Sequence, residues 1–333
     1  MPASVLIDPL FGDGGEAIVE LAVQFAHYRT YAEHERIETD LGQGLPQRYD
    51  SVQQFLRSGG RARRTHEDAR TLAARTSYLR EEYAYGSELF AEGIEAFLYH
   101  DALVDAARQV HGRDVVEPVI AYANVMLPGQ ELAVHTDVPE FRGVNRKVVP
   151  QWLLVVMHHS GLFDEWRLPI ATGIGWFSGG AGGELSWWPD GPDAPVQVHD
   201  GRPDTALVLD TDTVFHGVDT VGGPDTPAPP VRVGSTLDHA GGDEWVLSDP
   251  EGVETRRYSW DELRLSVSWK AYCFADEHER DAWREHGDDL TYDDVVARLV
   301  ADLHERGVVA VDPPHDRELG LTMIDTYIRY PTW

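Results

Sequence analysis

The sequence predicts a mainly β core with α-helices on both sides of it. Between residues 115 and 275, short runs rich in β-branched and aromatic residues alternate with turns of Gly, Pro and Asp, a pattern typical of a sandwich or a closed barrel. The segments before and after this region repeat their apolar residues at helical spacing. Hydrophobic residues make up 42% of the 333 residues and charged residues 26%, which excludes a disordered or fibrous chain. We therefore interpret residues 1–333 as one folded domain.

The N-terminal flank, residues 1–114, is predicted to be helical. Asp13 and Glu16 have the spacing of a capping box, and apolar residues follow them at helical intervals. A second helix is predicted to begin near Asp68, and a later one to end at Gly112, because glycine commonly terminates helices. The C-terminal flank, residues 276–333, is predicted to be helical in the same way.

The core region, residues 115–275, contains six runs that we interpret as strands. They are residues 119–127, 151–159, 170–177, 183–188, 206–218 and 263–274. Residues 221–262 interrupt this series with a proline-rich stretch and two strand-like runs separated by an Asp-Pro-Glu-Gly turn. We interpret them as a loop and hairpin inserted between core strands, and we expect this insertion to form a lid or wall of a pocket.

The charge balance and the cysteine content exclude several functional classes. The chain has 28 Lys and Arg against 57 Asp and Glu, a net charge of −29, so nucleic acid and anionic membranes are unfavourable partners. The single cysteine, Cys273, excludes an intrachain disulfide and a cysteine-based zinc site. No signal peptide is recognisable at the N-terminus, and the apolar run Trp152–Met157 is too short to span a membrane. We expect a cytoplasmic protein; its oligomeric state is not predicted.

A candidate metal site begins with the triplet His135-Thr136-Asp137. Residues i and i+2 of a strand point to the same side, so the imidazole and the carboxylate can share one ion. His66-Glu67-Asp68 has the same spacing, but it lies at the predicted start of a helix, where i and i+2 diverge. The motif match alone has a substantial false-positive risk, since a surface His-Asp pair would give the same triplet.

His216 supplies the third candidate ligand, from another predicted strand. Two histidines and one carboxylate on converging strands form a facial triad, which leaves open positions on Fe(II) for a cosubstrate and O2. Two other readings of the same residues remain open. One is a zinc hydrolase or isomerase that uses the same ligands, and the other is a non-catalytic, cupin-like protein that binds a ligand or a metal.

The order of motifs around these ligands resembles that of the Fe(II)/2-oxoglutarate-dependent dioxygenase superfamily, and within it the prolyl-4-hydroxylase-like branch. The resemblance covers residues 120–274. It rests on Pro128-Gly129, His135-x-Asp137, Gly182-Gly183-Glu184-Leu185, His216-x-Val218 and Arg264-x-Ser266 before an aromatic residue. The combination is specific, although each motif alone is weak.

The resemblance implies a fold, a set of cofactors and a role for each motif residue. The fold would be a double-stranded β-helix, a jelly roll of the cupin type, wrapped by the N- and C-terminal helices. His135, Asp137 and His216 would bind iron, and Arg264, with Ser266 beside it, would pair with the distal carboxylate of 2-oxoglutarate. The protein would be an oxygenase, most simply a hydroxylase, acting on a small molecule, amino acid or peptide.

The position of the arginine is the one departure from the family pattern. In the family it usually follows the second histidine closely, whereas Arg264 comes 48 residues after His216. Arg232 and Arg257 are therefore rivals for the same role. We favour Arg264 because its strand alternates, so that it shares one face with Ser266 and Ser268.

Overall fold

A computed structural model describes residues 2–31, 37–178 and 180–332 as seventeen strands and nine α-helices. The strands are β1 Ser4–Ile7, β2 His27–Thr30, β3 Leu79–Tyr85, β4 Glu88–Leu89, β5 Val115–Met126, β6 Leu132–His135, β7 Glu140–Phe141, β8 Arg167–Leu168, β9 Ile170–Trp176, β10 Leu185–Trp188, β11 Gln197–His199, β12 Thr205–Leu209, β13 Phe215–Val218, β14 Thr236–Gly241, β15 Glu244–Ser248, β16 Glu254–Ser259 and β17 Arg264–Phe274. The helices are α1 Glu16–Phe25, α2 Tyr49–Ser58, α3 Ala69–Thr76, α4 Glu95–Leu98, α5 Asp101–His111, α6 Gln151–Ser160, α7 Glu277–Glu285, α8 Tyr292–Glu305 and α9 Arg317–Tyr327. Within the described ranges, no helix is long and apolar enough to cross a bilayer.

Eight strands form the core, divided between a large and a small antiparallel sheet. The large sheet contains the order β12-β9-β17-β5, and the small sheet has the order β11-β10-β13-β6. Along the chain, the strands of the large sheet (β5, β9, β12 and β17) are separated by β6, by the pair β10 and β11, and by β13 of the small sheet. This alternation is that of a double-stranded β-helix, so the predicted jelly-roll core is confirmed.

Helices cover the core on two sides. Apolar residues of α1, α4 and α5 pack with those of β5 and β17 in the largest cluster, which contains Leu103 and Trp269 among its fully buried side chains. A second cluster joins α6, α8 and α9 to the small sheet through Trp188 and Phe215. The core is therefore wrapped by helices from both flanks, as predicted.

The N-terminal flank differs from its prediction because it also supplies strands. Strand β1 pairs with β12 at one edge of the large sheet, while β3 and β2 extend the other edge beyond β5. The sequence Leu79–Tyr85 contains three charged residues in a row, so its own pattern does not indicate a strand. The segment becomes a strand because it pairs with β5 at the edge of the large sheet, since β propensity depends strongly on context.

The segment 151–159, predicted as a strand, is helical, and this prediction was wrong. Helix α6 follows Pro150, and its residues from Gln151 to Met157 are all buried. A short run that is apolar on every side has no periodicity by which a buried helix can be distinguished from a buried strand. His158 and His159 consequently lie in the last turn of a helix.

The insertion 221–262 contains the predicted hairpin, but it extends the sheet and covers little of the core's interior. Strands β15 and β16 pair across residues 249–253, and β14 joins this hairpin to β2 at the edge of the large sheet. Of the described residues in the insertion, Val233 alone lines the larger cavity described below. The expectation of a lid or wall therefore holds for one residue of the loop and not for the hairpin.

We expect His159 to make the stability of the fold depend on pH. Burial lowers the pKa of His159 to about 4 in the folded protein, against about 6.5 in the unfolded chain. The contribution of neutral His159 to the free energy of unfolding is therefore complete above pH 6.5. It is lost as the pH falls toward 4, by about 3 kcal/mol at most. Chemical unfolding between pH 4 and 7.5 should show a shallower decline for His159→Gln than for the natural chain; equal slopes would contradict this.

Candidate active site

The pairing of β6 with β13 brings His135 and His216 together. The two residues are directly opposite in the register of the small sheet, and their ring centroids are 4.5 Å apart. Because side chains alternate along a strand, this register directs both rings to the same face. Both side chains are buried, at 8% and 4% exposure.

Hydrogen bonds to the backbone fix the orientation of both imidazole rings. Nδ1 of His135 lies 2.6 Å from the carbonyl oxygen of Ala133, and Nδ1 of His216 lies 3.0 Å from that of Val214. A carbonyl oxygen only accepts, so each Nδ1 carries the proton and each Nε2 presents a lone pair. This is the arrangement that metal-binding histidines ordinarily have.

Asp137 completes a compact group of three possible ligands. Its Oδ1 atom is 3.5 Å from Nε2 of His135 and 3.8 Å from Nε2 of His216. One potential ligand atom from each residue lies within 4.8 Å of the other two. The structure thus brings together the three residues that the sequence singled out, and two imidazoles with one carboxylate suit a divalent transition metal.

Two side chains donate hydrogen bonds to the second carboxylate oxygen of Asp137, and one of them lies on the large sheet. Lys270 on β17 donates to Oδ2 at 2.7 Å, and Thr211 donates to the same atom at 2.7 Å. Thr172 lies 2.7 Å from the Thr211 hydroxyl and accepts from Lys270 at 3.0 Å. Oδ2 therefore has its partners within the protein, and Oδ1 is left facing the two histidines.

The electrostatics of this group match the protonation states that metal binding requires. Burial would raise the pKa of Asp137, but Lys270 and the two histidines hold it well below its usual value. Burial and the neighbouring His135 lower the pKa of His216 to about 4. At neutral pH the aspartate is therefore ionised and His216 is neutral, as ligands to a metal must be.

Sequence reasoning missed Lys270, Thr211 and Thr172. A signal for Lys270 was present, since it continues the alternating face Arg264, Ser266, Ser268 of the same strand. A lysine on the inward face of a buried strand requires an anionic partner. Thr211 lies in the loop before β13, and no spacing in the sequence identifies its contact with Asp137.

The inner cavity, between the two sheets, contains the triad, Arg264 and Ser266. The remaining residues that line it are Tyr78, Tyr122, Asn124, Met126, Leu132, Thr172, Ile174, Leu185, Val218 and Ser268. Arg264 is 4% exposed, and burial lowers its pKa to about 10, so it remains a cation at neutral pH. Its rivals lie elsewhere: Arg232 pairs with Asp249 and Glu251 on the surface.

Arg257, the other rival, is likewise an exposed arginine with partners of its own. It lies on β16 and pairs with Glu244 and Glu254. Neither Arg232 nor Arg257 lines the inner cavity. Of the three arginines that the sequence left open, the structure brings only Arg264 into the same cavity as the triad.

The guanidinium of Arg264 has one unsatisfied nitrogen. Its Nε donates to the carbonyl oxygen of Gly183 at 2.8 Å, and Nη1 lies 3.4 Å from Oγ of Ser266. Nη2 is buried and has no hydrogen-bond partner among the described residues, and the same is true of Oδ1 of Asn124 in the same cavity. An orphaned buried donor of this kind is costly unless a ligand satisfies it.

Gly183 of the Gly-Gly-Glu-Leu motif is required by the position of this arginine. A Cβ atom at residue 183 would lie 2.7 Å from Cδ of Arg264, and the backbone has φ = +74°. Both the close approach and the left-handed conformation favour glycine. The motif therefore serves to admit the arginine side chain into the space between the sheets.

An outer cavity of about 430 Å³ opens from the triad toward the N-terminal helices. It shares His135, Asp137, Tyr78, Tyr122 and Leu132 with the inner cavity. Its volume is that of a typical small-molecule site. His135 and Asp137 thus lie where the two cavities meet, whereas His216 lines the inner one.

The chain resembles several solved structures, all at low sequence identity. They include a 2OG-Fe(II) oxygenase family oxidoreductase from Burkholderia pseudomallei, with 10% identity over 81% of this chain and 85% of that one and a TM-score of 0.40. A prolyl-4-hydroxylase from Pseudomonas putida has 12% identity over 82% and 94%, with a TM-score of 0.37. HygX from Streptomyces hygroscopicus, solved with nickel, 2-oxoglutarate and hygromycin B, has 10% identity over 82% and 83%, with a TM-score of 0.38.

The sequence matches no family model and no curated protein.

We predict that His216→Ala abolishes tight metal binding. It removes one of three ligands, whereas His66→Ala removes an exposed histidine from another His-x-Asp triplet and should leave the metal content unchanged. Metal stoichiometry after reconstitution with Fe(II) or Co(II) measures both variants. Full occupancy in His216→Ala would refute the triad.

We predict that Thr211→Val weakens metal binding by about tenfold or more, the usual cost of removing a hydrogen bond to a ligand. The substitution keeps the shape of the side chain and removes the donor to Oδ2 of Asp137. Thr213→Val is the matched control, since Thr213 lies two residues away and donates to Asp210 instead. Competition with a chromophoric chelator gives both affinities; equal values in the two variants would contradict the role assigned to Thr211.

Proposed function

We propose that the protein is an iron- and 2-oxoglutarate-dependent oxygenase. The observation that carries this proposal is the buried Arg264, whose Nη2 atom has no partner among the described residues, in a cavity that also contains the triad. A buried cation with an unsatisfied donor calls for an anion, and a guanidinium pairs with a carboxylate through two parallel hydrogen bonds. A dicarboxylic keto acid has one carboxylate for the arginine and a chelating end for the metal.

The donor set fits iron, and each residue has a definable task. His135, Asp137 and His216 would hold Fe(II) on one side, which leaves positions for the keto acid and O2; with both bound, such a centre oxidises an unactivated C–H bond. Lys270 and Thr211 hold Asp137 in place. Arg264 and Ser266 would orient the keto acid by its distal carboxylate, and the apolar walls, which include Ile174 and Val218, exclude water from the cavity.

The two alternatives account for fewer of these residues. A zinc hydrolase or isomerase could use the same triad, but it has no use for a buried, partly unsatisfied arginine beside it. A non-catalytic cupin-like protein could bind a carboxylate through Arg264, yet it would not need two histidines with their Nε2 lone pairs aimed at one carboxylate oxygen. Conversion of 2-oxoglutarate to succinate that depends on O2 distinguishes our proposal from both.

We predict that Arg264→Ala raises the 2-oxoglutarate concentration needed for half-maximal turnover by about a thousandfold. Removing one partner of a buried charged pair costs about 3–5 kcal/mol, which corresponds to that factor. Fe(II) binding should be nearly unchanged, because Arg264 does not contact the triad.

Arg257→Ala is the matched control, since it removes an exposed arginine from β16. Oxygen consumption titrated with 2-oxoglutarate, together with metal content, measures both variants. If Arg257→Ala lowered the affinity for 2-oxoglutarate and Arg264→Ala did not, the assignment of the carboxylate-binding arginine would be wrong.

A further inference from the structure

The outer cavity has the opposite charge balance from the rest of the chain. Acidic residues outnumber basic ones by 57 to 28 in the sequence, whereas the described lining of this cavity has four cationic side chains and one carboxylate, that of Asp137. The cations are Arg48, Arg80, Arg146 and Lys270. The net charge of the protein does not account for a positively charged cavity, whereas the binding of an anionic ligand would.

Two of these four cations are neutralised by the protein. Arg48 donates to both carboxylate oxygens of Asp50, at 3.2 and 3.0 Å, and to the carbonyl oxygen of Thr136. Lys270 pairs with Asp137. Both therefore have structural partners, and they position the triad rather than attract a ligand.

Arg80 and Arg146 have no such partners among the described residues. The side chain of Arg80 donates no hydrogen bond to this part of the chain, and its single ion pair there, with Glu82, is long at 3.8 Å. Its guanidinium instead lies over the ring of Tyr122, 3.5 Å from the centroid, and 4.9 Å from that of Tyr31. The rings fix the plane of the guanidinium while leaving its edge, where the N–H donors lie, available.

The Nε atom of Arg146 is buried and has no hydrogen-bond partner within the described part of the chain. No described carboxylate forms an ion pair with Arg146. The side chain lines the same cavity as Arg80 and the triad. Two arginines without a close ion pair to any described carboxylate thus line one cavity, and guanidinium groups are well suited to bind a carboxylate or a phosphate.

Apart from Ser51, Thr76, Gln151 and the two triad residues, the remaining wall of the cavity is apolar and aromatic. Its side chains include Val52, Ile120, Leu132 and Val138, and the stacked pair Tyr31 and Tyr78, whose rings are 5.7 Å apart. A pocket of this kind buries the body of a small molecule, while a few polar groups fix its orientation.

We propose that the substrate is an anionic small molecule with an apolar or aromatic body, and that Arg80 and Arg146 hold its anionic group in the outer cavity. This inference rests on the proposed oxygenase function, since it takes the outer cavity as the substrate side of the metal centre. The anionic group anchors the molecule on the arginines, and the apolar body extends toward His135 and Asp137. Neutral molecules of the same shape lack the charge to pair with either guanidinium group and bind more weakly.

The test compares phenylacetate and phenyl phosphate with the neutral phenylacetamide. Titration calorimetry on the full-length protein, with Fe(II) and saturating 2-oxoglutarate under anaerobic conditions, measures each affinity. We expect one or both anions to bind at least tenfold more tightly than the amide, and the preferred anion identifies a carboxylate or a phosphate as the natural group. Equal affinities for both anions and the amide would overturn the proposal.

Substitutions of single arginines then show which residues bind the anion. Arg80→Gln and Arg146→Gln should each weaken binding of the preferred anion by about ten- to a hundredfold, the value of a hydrogen bond to a charged group, and leave the amide unaffected. Arg108→Gln, which removes an exposed arginine from α5, should change neither. Arg80→Lys and Arg146→Lys retain the charge and should recover part of the affinity, which excludes misfolding as the cause.

Two further outcomes separate this inference from the proposed function. If Arg264→Ala abolishes binding of the anion while Arg80→Gln and Arg146→Gln keep the affinity of the natural chain, the anion occupies the inner cavity and the inference is wrong. Repeating the titration without metal or 2-oxoglutarate isolates anion binding from the oxygenase chemistry. Anion selectivity that depends on Arg80 and Arg146, in a protein with no O2-dependent turnover of 2-oxoglutarate, would support the anion site and refute the oxygenase.

Discussion

The ion pair between Lys270 and Asp137 is the interaction on which the rest of the site depends. It joins the large sheet to the segment that follows β6 of the small sheet, at an N–O distance of 2.7 Å. Two buried charges are tolerated only when additional hydrogen bonds satisfy them, and Thr211 and Thr172 supply these bonds. The pair fixes the rotation of the carboxylate, so that its other oxygen faces His135 and His216. A jelly roll without this cross-link would have the same ligands with less control over their orientation.

The two cavities differ in the side chains that line them. The inner cavity has one buried cation, Arg264, whereas the outer cavity has Arg80 and Arg146 together with the additional ring of Tyr31. Tyr78 and Tyr122 line both, so they separate the space assigned to the keto acid from that assigned to the substrate. The net negative charge of the chain disfavours anions over most of the surface, and in the function proposed above the two arginine sites would be the places where an anion is stabilised.

Much of the fold could be predicted from the sequence because the core strands have strong, local signals. The strand position of His135 was predicted, but β6 ends at this residue and Asp137 lies just beyond it, so the two-residue period of a strand does not account for the position of Asp137. The proximity of both residues to His216 followed from the motif order. Helix α6 could not be predicted because an entirely buried run has no amphipathic pattern. Strand β3 was missed since its pairing with β5 is a tertiary contact. The partners of Asp137, such as Thr211, lie in loops whose paths no periodicity specifies.

The position of β17 at the end of the core has a consequence for synthesis of the protein. This strand pairs with both β5 and β9 at the centre of the large sheet, and it supplies Lys270, 133 residues after Asp137. Contacts between residues so distant in sequence form late, because long loops must close first. A chain still emerging from the ribosome therefore has both histidines and the aspartate before it has the strand that orders them. We expect stable metal loading to follow completion of the barrel, and the bound ion then to stabilise the folded state.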